Sequence, residues 1–417
     1  MKLEERGRAK YRPLKDYDKE QVQALLFDKI KEEEKLIQNI ESDFELPNLD
    51  YRDDKINVIS LFSGCGGLDL GVELAGLSAI IGEDEALEAF KDKKNFNDLR
   101  GNSIFHTIYS NDLFKEANES YRINFPPHVY QHELDIRKVK SFPKADLVLG
   151  GFPCPGFSEA GPRLIDDERN FLYIHFIRCL LQAKPFAFIA ENVKGMMTLG
   201  KGEVINQIAE DFASAGYDVQ VKLVNSRDYG VPQLRERVFI VGIREDLNFK
   251  YEHPKPTHGK DKLPYVTLED AIKDLEINPG DWFEGGFSPI YLSRNRKKKW
   301  NEQSFTIQAS GRQAPLHPSG PEMVKLDKDK WELPGDESQH RRLSVKEIAR
   351  IQTFPDWFEF FDGGNMNVQK NNRLDKQYKQ IGNAVPVLLA KAMARPLAIW
   401  AKENIDTIKD NAPVLSK

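Results

Sequence analysis

A cysteine clamped between two prolines, in Gly150-Gly-Phe-Pro-Cys-Pro-Gly-Phe-Ser158, is the most reactive arrangement in this chain. It follows a short apolar run and precedes a polar, glycine-bearing stretch, so Cys154 is held rigidly at a strand end. A thiol is the most nucleophilic side chain near neutral pH, and positive surroundings raise its thiolate fraction. A buried structural thiol is the competing reading, and it suits Cys179 on an apolar helix and Cys65 in a glycine turn. Further on, the apolar run Phe186–Ala190 ends in Glu191-Asn-Val193. A carboxyl at the mouth of such a strand loses solvent, which favours its protonated form and suits proton donation. A helix-capping acid is the alternative. Gln233, Arg235 and Arg237 then alternate along Gln233-Leu-Arg-Glu-Arg237. Alternation in an extended segment places them on one face, where two fixed cations can hold a carbonyl oxygen or a phosphate. Plain surface salt bridges would give the same pattern.

A second group looks built for a nucleotide-like ligand. Ser60-Leu-Phe-Ser-Gly-Cys-Gly-Gly-Leu-Asp69 lies where a first strand turns into a first helix. Close glycines there let the backbone approach a ligand and leave helix N–H groups facing it, although a bare tight turn is also possible. An acid at the end of the next strand would bind ribose hydroxyls. Asp112 is preferred to the nearer Glu83, Asp84 and Glu85, because a helix follows it and then Leu134-Asp-Ile136, whose Asp135 would reach an adenine amino group. The stretch 79–105 reads as an insertion.

These groups need a scaffold. Short apolar runs (Asn57–Phe62, Thr107–Ser110, Leu147–Leu149, Phe186–Ala190, Val219–Val224, Val238–Val241) alternate with helical periodicity over Leu68–Leu74, Phe114–Ile123, Leu172–Ala183 and Glu203–Ala215. That rhythm predicts an α/β fold with a doubly wound sheet. Four segments are expected: a charged extension over 1–54 with a surface helix at Lys19–Ile40, a catalytic and cofactor-binding domain over 55–245, an irregular unit rich in proline and glycine over 246–340, and a return to the catalytic domain over 341–417 with helices at Ser344–Gln352 and Val387–Ala401. With 417 residues, 40% hydrophobic and 10% aromatic, there is enough apolar material for a sizeable core. The absence of a long apolar run or a signal-peptide pattern leads us to expect a cytoplasmic protein. Three cysteines without a C-x-x-C pair, and eight histidines without ligand spacing, argue against a disulfide framework and a metal. The net charge of −5 does not suggest nucleic-acid binding, but Arg294, Arg296, Lys297, Lys298 and Lys299 form a local basic run.

In order and spacing the motifs resemble those of the C5-cytosine DNA methyltransferase family. They run from Phe62-Ser-Gly-Cys-Gly-Gly67 through Pro153-Cys-Pro-Gly-Phe-Ser158, Glu191-Asn-Val193 and Gln233-Leu-Arg-Glu-Arg237. They continue through Arg341–Pro355 to Gln380-Ile-Gly-Asn-Ala-Val-Pro386, and Pro155 departs from the glutamine commonest at its position. The resemblance implies methyl transfer from S-adenosylmethionine to C5 of a cytosine flipped out of double-stranded DNA, with Cys154, Glu191, Arg235 and Arg237 catalytic. It places Phe62, Gly64, Gly66, Gly67, Leu68 and Asp112 around the cofactor, together with Leu113, Asp135, Ile136, Pro153, Asn383 and Val385. Ser158 and Gln233 would face DNA, and Gly156–Arg169 would close over the flipped base. Arg294, Arg296 and Arg312 are the candidate base readers, while Lys297–Lys299 more simply neutralise phosphate. The segments Tyr291–Trp300 and Ser304–Pro318 resemble those of restriction-associated bacterial methylases acting on GGCC-type sites, which implies a GGCC or GGNCC target and a functional pairing with a restriction endonuclease. A monomer is expected, since one flipped base needs one active site. A transfer-RNA cytosine methyltransferase and a non-catalytic DNA-binding relative remain the rivals. A small-molecule methyltransferase would leave the basic variable unit unexplained.

Overall fold

The computed structural model describes residues 18–38, 46–153 and 172–410. Cys154, Ser158 and the Gly156–Arg169 segment lie outside the described residues. The chain opens with α1 (Lys19–Gln38), then β1 (Ile56–Leu61) and α2 (Gly67–Ile81). The 79–105 stretch continues as α3 (Glu83–Phe90) and α4 (Lys93–Leu99) before β2 (Phe105–Asn111). Next come α5 (Lys115–Asn124), β3 (Tyr130–His132), β4 (Leu147–Gly150), α6 (Leu172–Ala183), β5 (Ala187–Val193), α7 (Glu203–Ser214) and β6 (Tyr217–Asn225). They are followed by β7 (Gln233–Leu234), β8 (Glu236–Arg244), α8 (Leu268–Ile272), β9 (Ser304–Phe305), β10 (Val324–Asp327) and β11 (Lys330–Glu332). The chain closes with α9 (Val345–Ile351), α10 (Lys370–Asn383), α11 (Val387–Glu403) and α12 (Ile405–Asp410).

Seven strands form one sheet in the order β3-β2-β1-β4-β5-β8-β6. Neighbours from β3 to β5 pair in parallel, and β8 runs antiparallel between β5 and β6. This is the doubly wound sheet expected from the alternating pattern. Every residue of β1 is buried, as a strand covered on both faces requires. One face carries α1, α6 and α7, and Leu26 and Ile30 of α1 join its core, so that helix is packed rather than merely superficial. The other face carries α2 and α11, which cross so closely that a side chain on Gly71 would lie 2.4 Å from Ala390 Cβ. Opposite Phe188 in the β5–β8 register stands Gly242, where any Cβ would meet the Phe188 ring at 2.1 Å. The chain leaves β1 toward β2 and β3 on one side and returns to β4 and β5 on the other. That reversal opens a crevice at the carboxyl ends of β1 and β4, the usual ligand position in such sheets.

Among the elements with no counterpart in the sequence reading are the three-residue β3 and the polar α10. The 79–105 stretch has a packing role. Phe90 and Phe96 enclose Trp357, whose Nε1 donates to Phe90 O at 2.9 Å, and Arg100 pairs with Glu73 at 2.6 Å. From 246 to 340 regular structure is sparse; Tyr291, Leu316 and Met323 form a small local cluster, while Leu268, Ile272, Leu275, Ile307 and Ala314 join a core shared with α2 and α9.

Candidate active site

A cleft of about 520 Å³ lies at the carboxyl ends of β1, β2, β4 and β5. Its wall includes Phe62, Gly64, Gly67 and Leu68 from the first turn, and Asp112 and Leu113 after β2. Asp135, Ile136, Pro153, Glu191, Arg235, Arg237, Asn383 and Val385 complete the expected set. Gly66 is the exception: it makes the turn at φ 90°, packed so that a Cβ would sit 2.3 Å from the Phe125 ring. At Gly64 (φ +54) a Cβ would meet nothing within 4 Å, so the cradle is open where a ligand would approach. A side chain on Gly67 would run into Val385 O at 2.6 Å, which shows the late segment folded back against the first turn.

Asp112 is half-buried at the cleft, and that loss of solvent raises its pKa, while N–H groups of Phe114 and Gly64 oppose the rise. Those N–H groups donate to Oδ1 and Oδ2 at 2.7 and 2.8 Å, leaving each oxygen a lone pair for a hydroxyl. Glu83, Asp84 and Glu85 stand instead in the first turn of α3, and Glu83 pairs with Lys391 of α11, which removes it as the ribose acid. Asp135 is held below its usual range by the Arg137 guanidinium beside it. Asn111, which sequence reasoning passed over, donates to His132 O and Leu134 O and so fixes the loop that presents Asp135.

At the other end of the cleft Arg237 Nε meets Glu191 Oε1 at 2.8 Å, with both side chains largely buried. Burial raises the Glu191 pKa, and Arg237 and then Arg235 pull against it. A Cβ on Gly151 would lie 3.5 Å from Glu191 Oε2, so the missing side chain keeps that oxygen open. Asn192 donates to Phe152 O at 2.9 Å and anchors the backbone that leads into Cys154. Burial pushes the Cys65 and Cys179 thiols far up, which makes both inert.

Four expectations need correction. Gln233 was expected to face DNA, but it is 0% exposed and bonded at both ends of its amide. Arg296 was expected to read bases, but it is 7% exposed; its guanidinium donates to Tyr291 O and Gln313 O and lies over the Tyr291 ring. Lys297, expected at phosphate, is buried likewise and donates to Ser319 O and Pro321 O. In each case the charge or amide is visible in sequence and its burial is not. Arg294 and Arg312 are exposed on neighbouring loops, and Lys299 is exposed but paired with Glu322. Arg235 does not reach into the cleft as a free cation: it is 1% exposed and donates to three carbonyls. Asp50, His106 and His128 come together away from the cleft, and His106 Nε2 is already 2.8 Å from Asp50 O.

Residues 56–398 match the family model of C-5 cytosine-specific DNA methylases. The chain is 66% identical over 414 residues to the type II methyltransferase M.BsuRI of Bacillus subtilis, covering 99% of this chain and 95% of that protein. It is 62% identical over 415 residues to M.BspRI of Lysinibacillus sphaericus, covering 99% and 97%. Among solved structures, a DNMT2 variant from Spodoptera frugiperda superposes with a TM-score of 0.55 at 19% identity, covering 83% of this chain and 99% of that one, which speaks for the fold alone. The chain therefore belongs to the C-5 cytosine-specific DNA methylase family and is a DNA cytosine-5 methyltransferase of the type II restriction-modification class.

Proposed function

We propose that the protein methylates C5 of a cytosine rotated out of duplex DNA within a GGCC or GGNCC site, using S-adenosylmethionine, as a monomer in the bacterial cytoplasm that protects DNA from a partner endonuclease. The observation that carries this reading is that one cleft brings Asp112 and Asp135 beside an open glycine turn together with the buried Glu191–Arg237 pair. Its volume of about 520 Å³ suits a ligand of that size. Asp112, Asp135 and the Asn383–Val385 backbone would hold the cofactor, which supplies an electrophilic methyl group when bound.

The chain's own residues prepare the base. The Cys154 thiolate adds to C6 of cytosine, and the electron pair displaced from the C5–C6 bond makes C5 nucleophilic. Protonated Glu191 donates to N3 and Arg237 donates to the carbonyl oxygen, so both stabilise charge that develops on the ring. After C5 is alkylated, its proton leaves to a base such as water, and the C6–S bond breaks to restore the ring and release the thiolate. A stacked duplex blocks attack on C6, which is why the base must leave the helix. Arg294 and Arg312, both exposed, would read guanine edges.

The test is transfer from labelled S-adenosylmethionine to plasmid DNA and to transfer RNA, wild type beside Cys154→Ser, with bisulfite sequencing of the DNA. Modified cytosines confined to GG…CC sites and absent with the variant are expected. Modification at unrelated sites would overturn the target, and transfer only to RNA would overturn the substrate.

A further inference from the structure

Three buried polar side chains join parts of the chain that are far apart in sequence. Arg235, between β7 and β8, donates through Nη1 to Ile307 O at 3.1 Å and through Nη2 to Gly382 O at 2.9 Å and Ala384 O at 3.0 Å. Gln233 accepts from Ile307 N at 2.9 Å and donates to Gln352 Oε1 at 2.9 Å. Gln352, at the end of α9, donates to Ile381 O at 2.7 Å and Ala384 O at 3.2 Å. All three are at most 1% exposed. No acid pairs directly with Arg235 among the described residues. Its charge is met instead by carbonyls at the carboxyl end of α10, where the helix dipole is negative.

Each partner belongs to a different working part. Ile307 follows β9, which pairs with β7 in a separate two-stranded sheet and so ties an arm of the irregular region to the segment just before β8. Residues 382–385 form the cofactor wall, and Arg237, two residues after Arg235, holds Glu191. There is no slack at the junction, because a Cβ on Gly382 would lie 2.4 Å from Gln308 O.

We infer that Arg235 is a positioning residue rather than a catalytic one, and that with Gln233 and Gln352 it fixes the cofactor wall and the DNA-bearing arm to one another. A shift of the arm on DNA is then transmitted to the wall, so each ligand changes the affinity for the other by the same factor. This rests on the reading that the cleft takes S-adenosylmethionine.

The test measures the dissociation constant of S-adenosylhomocysteine, an unreactive probe, with and without a GGCC duplex, for wild type, Arg235→Lys and Gln352→Ala. Wild type is expected to bind the probe about tenfold more tightly with the duplex, and both variants to lose most of that ratio. In turnover the variants should show a raised KM for the cofactor, with kcat largely kept when cofactor saturates. Gln352→Ala retains the buried charge, so it reports even if Arg235→Lys fails to fold. A wild type that binds no probe defeats the reading of the cleft. A wild type that binds the probe with a ratio of one, or folded variants that keep the full ratio, overturns the coupling alone.

Discussion

The sheet and the irregular region between 246 and 340 are held together by different means. In the sheet, strands and helices satisfy their own backbone and the core is apolar: Phe188 is 0% exposed with Phe212, Tyr217 and Phe176 rings within 5.8 Å. The irregular region has few regular hydrogen bonds, so its loop carbonyls need other donors. Buried cations supply them. Arg342 donates to Phe283 O, Gly285 O and Gly286 O, and lies over the Phe287 ring at 4.6 Å. Arg296 and Lys297 serve four more carbonyls. A region poor in regular structure can thus be ordered with few apolar contacts of its own, leaving its surface free to vary.

This contrast predicts that the two regions fail differently. The largest effect should come from Phe188→Ala, which removes a ring from the centre of the sheet at a cost of roughly 3–5 kcal/mol. Cofactor binding and DNA modification should fall together along one thermal transition. Arg342→Ala should cost roughly 3 kcal/mol, because three carbonyls lose their donor. Here the loss should stay local: faster proteolysis within 278–340 and a sharp fall in DNA methylation, with the dissociation constant for S-adenosylhomocysteine within about threefold of wild type. If that variant lost cofactor binding and sheet stability in step with DNA modification, the two regions would be one cooperative unit and the comparison would break.

What the sequence revealed follows the same division. Central sheet strands were readable because burial on both faces makes them continuously apolar, as in Leu147–Leu149. Glu191, Asp112 and the glycine turn were readable because they stand at strand ends. Strand Tyr130–His132 was too short to show a pattern. In α10 the buried Leu374, Tyr378 and Ile381 are at helical spacing but lie hidden among polar neighbours. Gln233, Arg296 and Lys297 misled for a physical reason: composition shows a charge or an amide, but only tertiary contacts show that carbonyls have claimed it. Gln352 and Asn192 lay inside recognised motifs, yet nothing local marks a buried amide as a link between distant segments.

The smallest predicted effect concerns the sign of the buried ions. The irregular region buries the cations Arg296 and Lys297, whereas the helices over the sheet bury a carboxyl, that of Asp211, besides cations such as Arg178. Asp211 of α7 accepts from Tyr173 Oη and Gln207 Nε2, and its burial raises its pKa from 3.8 to about 7. A carboxyl raised in the folded state contributes fully below its unfolded pKa, and the contribution is lost as pH rises through the folded value. Asp211→Asn keeps the neutral shape without titrating. Its stability, followed by the thermal midpoint, should therefore gain on wild type as pH rises from 5 to 8, by up to roughly 2.7 kcal/mol for two pKa units, with the gain levelling off above pH 7. Arg342→Ala, measured alongside, should show a deficit that does not change over the same range. A flat difference for Asp211→Asn would mean that the carboxyl is ionised and accommodated in the folded state, as the buried cations are.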